Sequence, residues 1–158
     1  MLYTNARSIV KFAKRLPAYA KLHGYKIIAI TESWATPEIS DCELALDGFA
    51  LFLKDRNVIR DGRGGSVLLY VSDEFECVEI DELNALECES LWVKLCQDFG
   101  ASVTSGVCYR SSTAPKEEIT NTFSAITQAS KERCLIVGDF NYPTIKWDNF
   151  VLKKNKSL

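Results

Sequence analysis

The sequence predicts a mixed α/β fold, and three observations carry that prediction. Short runs rich in β-branched and apolar residues recur along the chain, each with the length of a buried strand. Two other stretches place apolar residues at spacings of three and four, the stripe of a helix packed on one side. The two kinds follow one another as strand, helix, strand, a meander of strands, then helix and strand, an order that covers sheets with helices.

A strand fragment opens the chain and ends at Asn5. Over residues 9–22, Ile9, Phe12, Leu16 and Tyr19 form a helical stripe, with Ser8 as the candidate N-cap and Gly24 as the stop signal. Pro17 lies inside that pattern and, lacking a backbone N–H, is expected to kink or split the helix. Lys26-Ile27-Ile28-Ala29-Ile30-Thr31 reads as a buried strand, and further strands are expected at 49–53, 66–71, 91–96 and 103–109. Arg60-Asp61-Gly62-Arg63-Gly64-Gly65 is a turn-rich loop. Thr113-Ala114-Pro115 opens a second helix, with Glu117 and Glu118 suiting its positive end and Ile119, Phe123 and Ile126 as its stripe. Cys134-Leu135-Ile136-Val137 is the last clear strand and delivers Asp139 and Asn141 from its carboxyl end. The expected organisation is one domain over 1–150 followed by a polar tail over 151–158.

With 158 residues, 47% apolar and 25% charged, the chain has the composition of a globular protein able to bury a core. Its formal charge of −2 neither demands nor forbids a polyanionic partner. No cationic region followed by an apolar run opens the sequence, and no stretch nears the ~18 apolar residues of a membrane span. The expectation is a soluble intracellular chain, nuclear or cytoplasmic, with no membrane partner. Cys42, Cys77, Cys88, Cys96, Cys108 and Cys134 are scattered without a Cys-x-x-Cys pair, and His23 is the one histidine. That pattern fits buried thiols better than zinc or disulfides. His23 ends the first helix, where a cation suits the helix dipole, and is expected to have no catalytic part.

The polar residues at strand ends are the chemically informative positions. Asn5, Glu32, Tyr109, Asp139 and Asn141 each follow or close an expected strand. In α/β folds ligands collect at the carboxyl ends of strands, where side chains leave the packed sheet yet stay rigidly held. Glu32 supplies the hard oxygen that magnesium prefers, and Asn5 can add a carbonyl oxygen or orient a bound water. Each position alone also fits a turn former, a cap or, for Tyr109, an ordinary half-buried aromatic. Arg56 and Arg63 could contact phosphate, although solvated surface positions suit them better. Trp34 and Trp147 suit packing better than base stacking.

Taken together the segments carry a resemblance. Tyr3-Thr4-Asn5-Ala6-Arg7-Ser8, Ile28-Ala29-Ile30-Thr31-Glu32-Ser33-Trp34, Gly64-Gly65-Ser66-Val67-Leu68-Leu69-Tyr70-Val71, Glu89-Ser90-Leu91-Trp92-Val93-Lys94, Gly106-Val107-Cys108-Tyr109-Arg110 and Ile136-Val137-Gly138-Asp139-Phe140-Asn141-Tyr142-Pro143 occur in this order. The set resembles the endonuclease domain of non-LTR retrotransposons, a branch of the endonuclease/exonuclease/phosphatase superfamily. The resemblance implies a DNase I-like four-layered α/β sandwich, with an incomplete second sheet here. It implies a Mg²⁺-dependent phosphodiesterase, with Mn²⁺ as the alternative ion, that hydrolytically nicks DNA. By the same resemblance, Glu32 with Asn5 holds the metal, Asp139 orients or deprotonates the attacking water, Asn141 positions phosphate and water, and Tyr109 donates to the phosphate. The family continues to a closing Ser-Asp-His that this sequence lacks. The expectation is therefore a C-terminally truncated domain, weak or inactive alone, whose parent chain would carry the rest of the domain or a reverse transcriptase. The alternatives are a non-catalytic nucleic-acid-binding or scaffold remnant of the same fold, and a phosphatase or lipid phosphodiesterase of the superfamily.

Overall fold

A computed structural model describes residues 1–35, 41–55, 65–96, 101–142, 145–146 and 151–152. The order is β1 (Leu2–Asn5), α1 (Ile9–Ala13), α2 (Leu16–His23), β2 (Ile27–Thr31), α3 (Asp41–Leu44), β3 (Phe49–Lys54), β4 (Val67–Ser72), β5 (Glu76–Glu79), α4 (Asp81–Asn84), β6 (Ser90–Cys96), β7 (Ser102–Tyr109), α5 (Lys116–Ala129), β8 (Cys134–Asp139), β9 (Ile145–Lys146) and β10 (Val151–Leu152). The strands form two four-stranded sheets, β1-β2-β4-β3 and β5-β6-β7-β8, and a separate β10-β9 ribbon. Each large sheet is mixed: β1/β2 and β7/β8 are parallel, the other pairs antiparallel.

Side-chain alternation along the strands decides the layers. In β4, Val67, Leu69 and Val71 face the second sheet, whereas Leu68 and Tyr70 face α1 and α2, so the whole strand is buried. Opposite them Leu91, Val93, Leu95 and Val107 complete the middle layer, while Trp92 and Cys108 point outward to Ala125 and Ala129 of α5. The result is helices, sheet, sheet, helices: the four-layered α/β sandwich the sequence implied. β8 closes the second sheet by pairing with β7 from Thr104↔Cys134 to Tyr109↔Asp139.

The helices bear out one local expectation and correct two. Pro17 splits the first helix cleanly, since it falls in the first turn of α2, where no intrahelical donor is needed. Ser8 occupies the N-cap position of α1, but at φ 138° its hydroxyl makes no capping bond. On α5 the buried residues are Glu118, Thr122, Ala125 and Ala129, while Phe123 is 52% exposed. The expected stripe is thus rotated, because the sheet already presents the bulky Trp92 and only small side chains fit above it. Gly106 serves the same packing. A Cβ there would overlap Trp92 Cζ3 and Cε3 outright and stand 2.8 Å from Cη2.

No helix among the described residues is long and apolar enough to cross a membrane. Cys77, Cys88, Cys96, Cys108 and Cys134 are free thiols; Cys88 and Cys108 are buried as expected, and the other three are half-buried. His23 ends α2 beside the left-handed cap Gly24 (φ 61°) and is exposed, also as expected.

Candidate functional site

Parallel pairing puts the carboxyl ends of β1 and β2 side by side, with Asn5 opposite Thr31. In the other sheet it does the same for β7 and β8, with Tyr109 opposite Asp139. Because the sheets are stacked face to face, both pairs of ends meet at one edge of the sandwich. Alternation then aims the side chains. Tyr3, Val107, Tyr109 and Val137 all pack into the middle layer, so Asn5 and Asp139, each two residues along from a member of that set, point the same way. Strict alternation after Thr31 would send Glu32 toward the helices. Instead Glu32 adopts a left-handed backbone (φ 51°), which turns its carboxylate back to Asn5. Such a conformation in a non-glycine residue costs about 1–3 kcal/mol and persists where the surroundings hold it.

The centre of the site is the Asn5 carboxamide. Its Nδ2 donates to Glu32 Oε1 at 2.9 Å and to Asp139 Oδ2 at 2.9 Å. One amide thereby joins two carboxylates across the two sheets, its bond to Asp139 spanning 134 residues of chain. With both amide protons committed, Oδ1 faces the other way, buried and without a hydrogen-bond partner among the described residues. Tyr109 lies beside this pair. Burial and the neighbouring Glu32, Glu89 and Asp139 carboxylates push its hydroxyl up to about 12. Asn5, Glu32, Tyr109 and Asp139 are therefore brought together.

Asn141 is not joined to them. It takes a left-handed backbone (φ 44°), and its Nδ2 donates to the Arg110 carbonyl at 3.0 Å instead of to the carboxylates. Arg56, Arg63 and Trp147 lie outside the described residues. Trp34 is half-buried at the same end, its backbone N–H reaching the Gly65 carbonyl at 3.3 Å.

Three residues that sequence reasoning gave no role belong to this edge. Tyr3 donates to or accepts from Thr31 Oγ1 at 3.1 Å, and its own hydroxyl is raised by burial, then by Asp139 and Glu32. Its two-residue spacing from Asn5 on one strand was the available signal. Glu89 is buried, and its Oε2 accepts the Ser66 N–H at 2.9 Å. It thereby ties the start of β4 to the second sheet, and its carboxylate fills the space where a Gly65 side chain would stand. Arg110 holds the turn after β8: its backbone N–H donates to the Asp139 carbonyl at 2.8 Å and its Nη1 to the Asn141 carbonyl at 2.7 Å. Its guanidinium also lies 4.2 Å above the Tyr142 ring.

The donor set is hard: two carboxylates and one orphaned amide oxygen. Among the described residues no three His, Cys, Asp or Glu side chains form a metal cage. That composition fits Mg²⁺, which usually takes one or two protein carboxylates and keeps several waters. It does not fit a soft ion, since burial raises the Cys108 thiol far above its ordinary range and His23 lies at the far end of α2.

Comparison with known proteins agrees with this architecture. The endonuclease domain of TRAS1, a telomere-specific non-LTR retrotransposon, superposes with a TM-score of 0.65 at 16% identity, covering 92% of this chain and 60% of that one. The AP endonuclease LMAP of Leishmania major gives 0.69 at 13% identity, covering 92% and 56%. A mannosyl-6-phosphatase of Bacteroides thetaiotaomicron gives 0.57 at 15% identity, covering 92% and 62%. The chain thus spans about three-fifths of the structures it resembles, and at these identities the likeness is one of fold. No curated protein matches in sequence. The sequence itself matches the description of one family across residues 2–158, and the chain belongs to that family, the Endonuclease/Exonuclease/phosphatase family.

Proposed function

We propose that the chain carries the core of a divalent-metal-dependent phosphodiesterase whose substrate is DNA, cleaved by hydrolytic nicking. The single observation that carries this reading is the Asn5 amide bridging Glu32 and Asp139 where the two sheets meet. Family members generally use divalent metal ions. Here the Glu32 carboxylate would hold Mg²⁺, with Mn²⁺ as the alternative, and Asn5 would join it by turning its amide so that Oδ1 faces the ion. Bound there, the ion would neutralise charge developing on the phosphate as it becomes five-coordinate.

The remaining work falls to side chains. Asp139, fixed by Asn5 and by the Arg110 backbone, orients the attacking water and accepts its proton. Tyr109 keeps its proton until about pH 12, so it stays a neutral donor toward a phosphate oxygen at physiological pH. Asn141 would contact phosphate by exchanging its bond to the Arg110 carbonyl. The likeness to the TRAS1 and AP endonuclease domains favours DNA over a phosphate monoester.

The test is incubation of the purified chain with supercoiled plasmid and Mg²⁺, beside a phosphosugar substrate. Nicking that disappears in EDTA and in both Glu32→Gln and Asp139→Asn supports the reading. Absence of nicking above background refutes turnover by this chain, and release of phosphate from the sugar alone transfers the site to a phosphatase reaction.

A further inference from the structure

The first 31 residues hold six of the 19 Lys and Arg and none of the 21 Asp and Glu. The fold gathers this acid-free stretch into β1, β2 and the α1–α2 layer on the outside of the first sheet. Arg7, Lys14, Arg15, Lys21 and Lys26 are exposed, and of these only Lys26 has a carboxylate partner, Glu74, among the described residues. The opposite helical layer has no such bias, since α5 begins Lys116-Glu117-Glu118 and has no basic residue in its last turn. A nearly neutral protein therefore concentrates cations on this flank, and Asp47 and Glu74 join it at the α2 end, in a pocket shared with Lys21, Tyr25 and Lys26. That flank starts beside the site, where Arg7 follows Asn5 and the Ile9 N–H binds the Ser33 carbonyl at 2.7 Å.

A second feature lies at the far end of the same flank. Tyr19 and His23, one helical turn apart on α2, stack with ring centroids 6.0 Å apart and planes 30° apart. His23 in turn stacks on Tyr25 at 5.3 Å and 29°. Tyr25 anchors the trio against the core, and the stack runs outward from it, with Tyr19 49% exposed and its neighbour Leu22 78% exposed. An aromatic stack open to solvent at Tyr19, beside cations of which only Lys26 has a carboxylate partner among the described residues, matches the two needs of single-stranded nucleic acid, stacking for bases and positive charge for phosphates. A paired duplex hides its base faces and would leave the rings unused.

We infer that the α1–α2 flank is a second nucleic-acid contact surface, which holds a single-stranded segment away from the scissile phosphate. Phosphates lie along Arg7, Lys14, Arg15 and Lys21, and a base stacks on the outer face of Tyr19, which His23 and Tyr25 support from behind. The inference rests on nucleic acid being the substrate class but not on turnover, so binding and nicking are read separately.

The experiment is fluorescence anisotropy of a labelled oligo(dT) with the purified chain in EDTA, repeated over a range of salt. Tyr19→Ala combined with His23→Ala is expected to weaken binding about tenfold, from stacking losses at exposed positions that leave the fold intact. Lys14→Glu combined with Lys21→Glu is expected to weaken binding and to flatten the salt dependence by about 1.4 in log–log slope, two contacts at about 0.7 each. Lys131→Glu, beyond the end of α5, is the control and should change neither. Undiminished affinity in the ring variant overturns the inference. So does an equal loss in the Lys131 control, or a duplex bound as tightly and without regard to the rings. Retained oligonucleotide binding in Glu32→Gln, with nicking lost, supports a surface separate from the metal site.

Discussion

Replacing Asn5 by Asp keeps the shape of the side chain while exchanging its two amide protons for a negative charge. In the native protein that amide makes two hydrogen bonds at 2.9 Å, both to carboxylates. Hydrogen bonds to charged groups contribute about 1.5–3 kcal/mol each, and the half-exposed position favours the low end, so their joint loss is worth about 3 kcal/mol. Three carboxylates would then crowd one edge. At the ~4 Å separations involved, each like-charge contact adds between about 1 kcal/mol in water and 4 kcal/mol near a protein surface. Asn5→Asp should therefore lower stability in EDTA by at least about 3 kcal/mol. For a chain of this length that corresponds to a melting temperature reduced by about 6–12 °C. Mg²⁺ should reverse part of the loss, because a cation that binds only the folded state stabilises it by mass action and three carboxylates bind it more tightly than two. The assay is thermal unfolding with and without Mg²⁺ for both proteins. A variant as stable as the parent in EDTA would show that the amide does not bridge the carboxylates. A variant that gains no more from Mg²⁺ than the parent would refute the shared cation site.

Gly106→Ala should destabilise by about 1–3 kcal/mol, the usual penalty of overpacking, because the Trp92 ring it meets is fully buried and tied to Ser90 Oγ at 2.9 Å. Urea unfolding checks this, and restoration by a second change, Trp92→Phe, would confirm the steric cause. Tyr70 and Tyr109, both raised to about 12 by burial, should ionise well after ordinary tyrosines in a spectroscopic alkaline titration. Between pH 10 and 12 the folded chain then holds protons that the unfolded chain has lost, so stability should fall as pH rises through that window. A single titration step near pH 10 in the folded protein would contradict it. Arg110→Ala should speed amide exchange at Phe140 and Asn141 and lower kcat more than KM, since the turn that fixes Asp139 loses its clamp. Unchanged exchange there would remove Arg110 from the positioning of the site.

Local sequence specified most of the strands and helices. The apolar runs at 66–71 and 103–109 follow from burial, which each residue type expresses locally, and formed as strands with ends shifted by a residue or so, while the helical stripe of 9–22 formed as two helices. It was less able to find β5, whose Glu76 and Glu79 suit an exposed sheet edge and mask any apolar signal. The face of α5 was also illegible, because Trp92 on another strand decides which side of that helix must be small. For the site, the chain spelled out which residues end strands, and Asn5, Glu32, Tyr109 and Asp139 did converge. Only the tertiary structure decided that one amide would join the two carboxylates, that a left-handed turn would aim Glu32, and that Arg110 would claim the Asn141 side chain. Strand ends are a property of local sequence, but a hydrogen bond between residues 134 positions apart depends on two sheets stacking, and no local pattern encodes that distance.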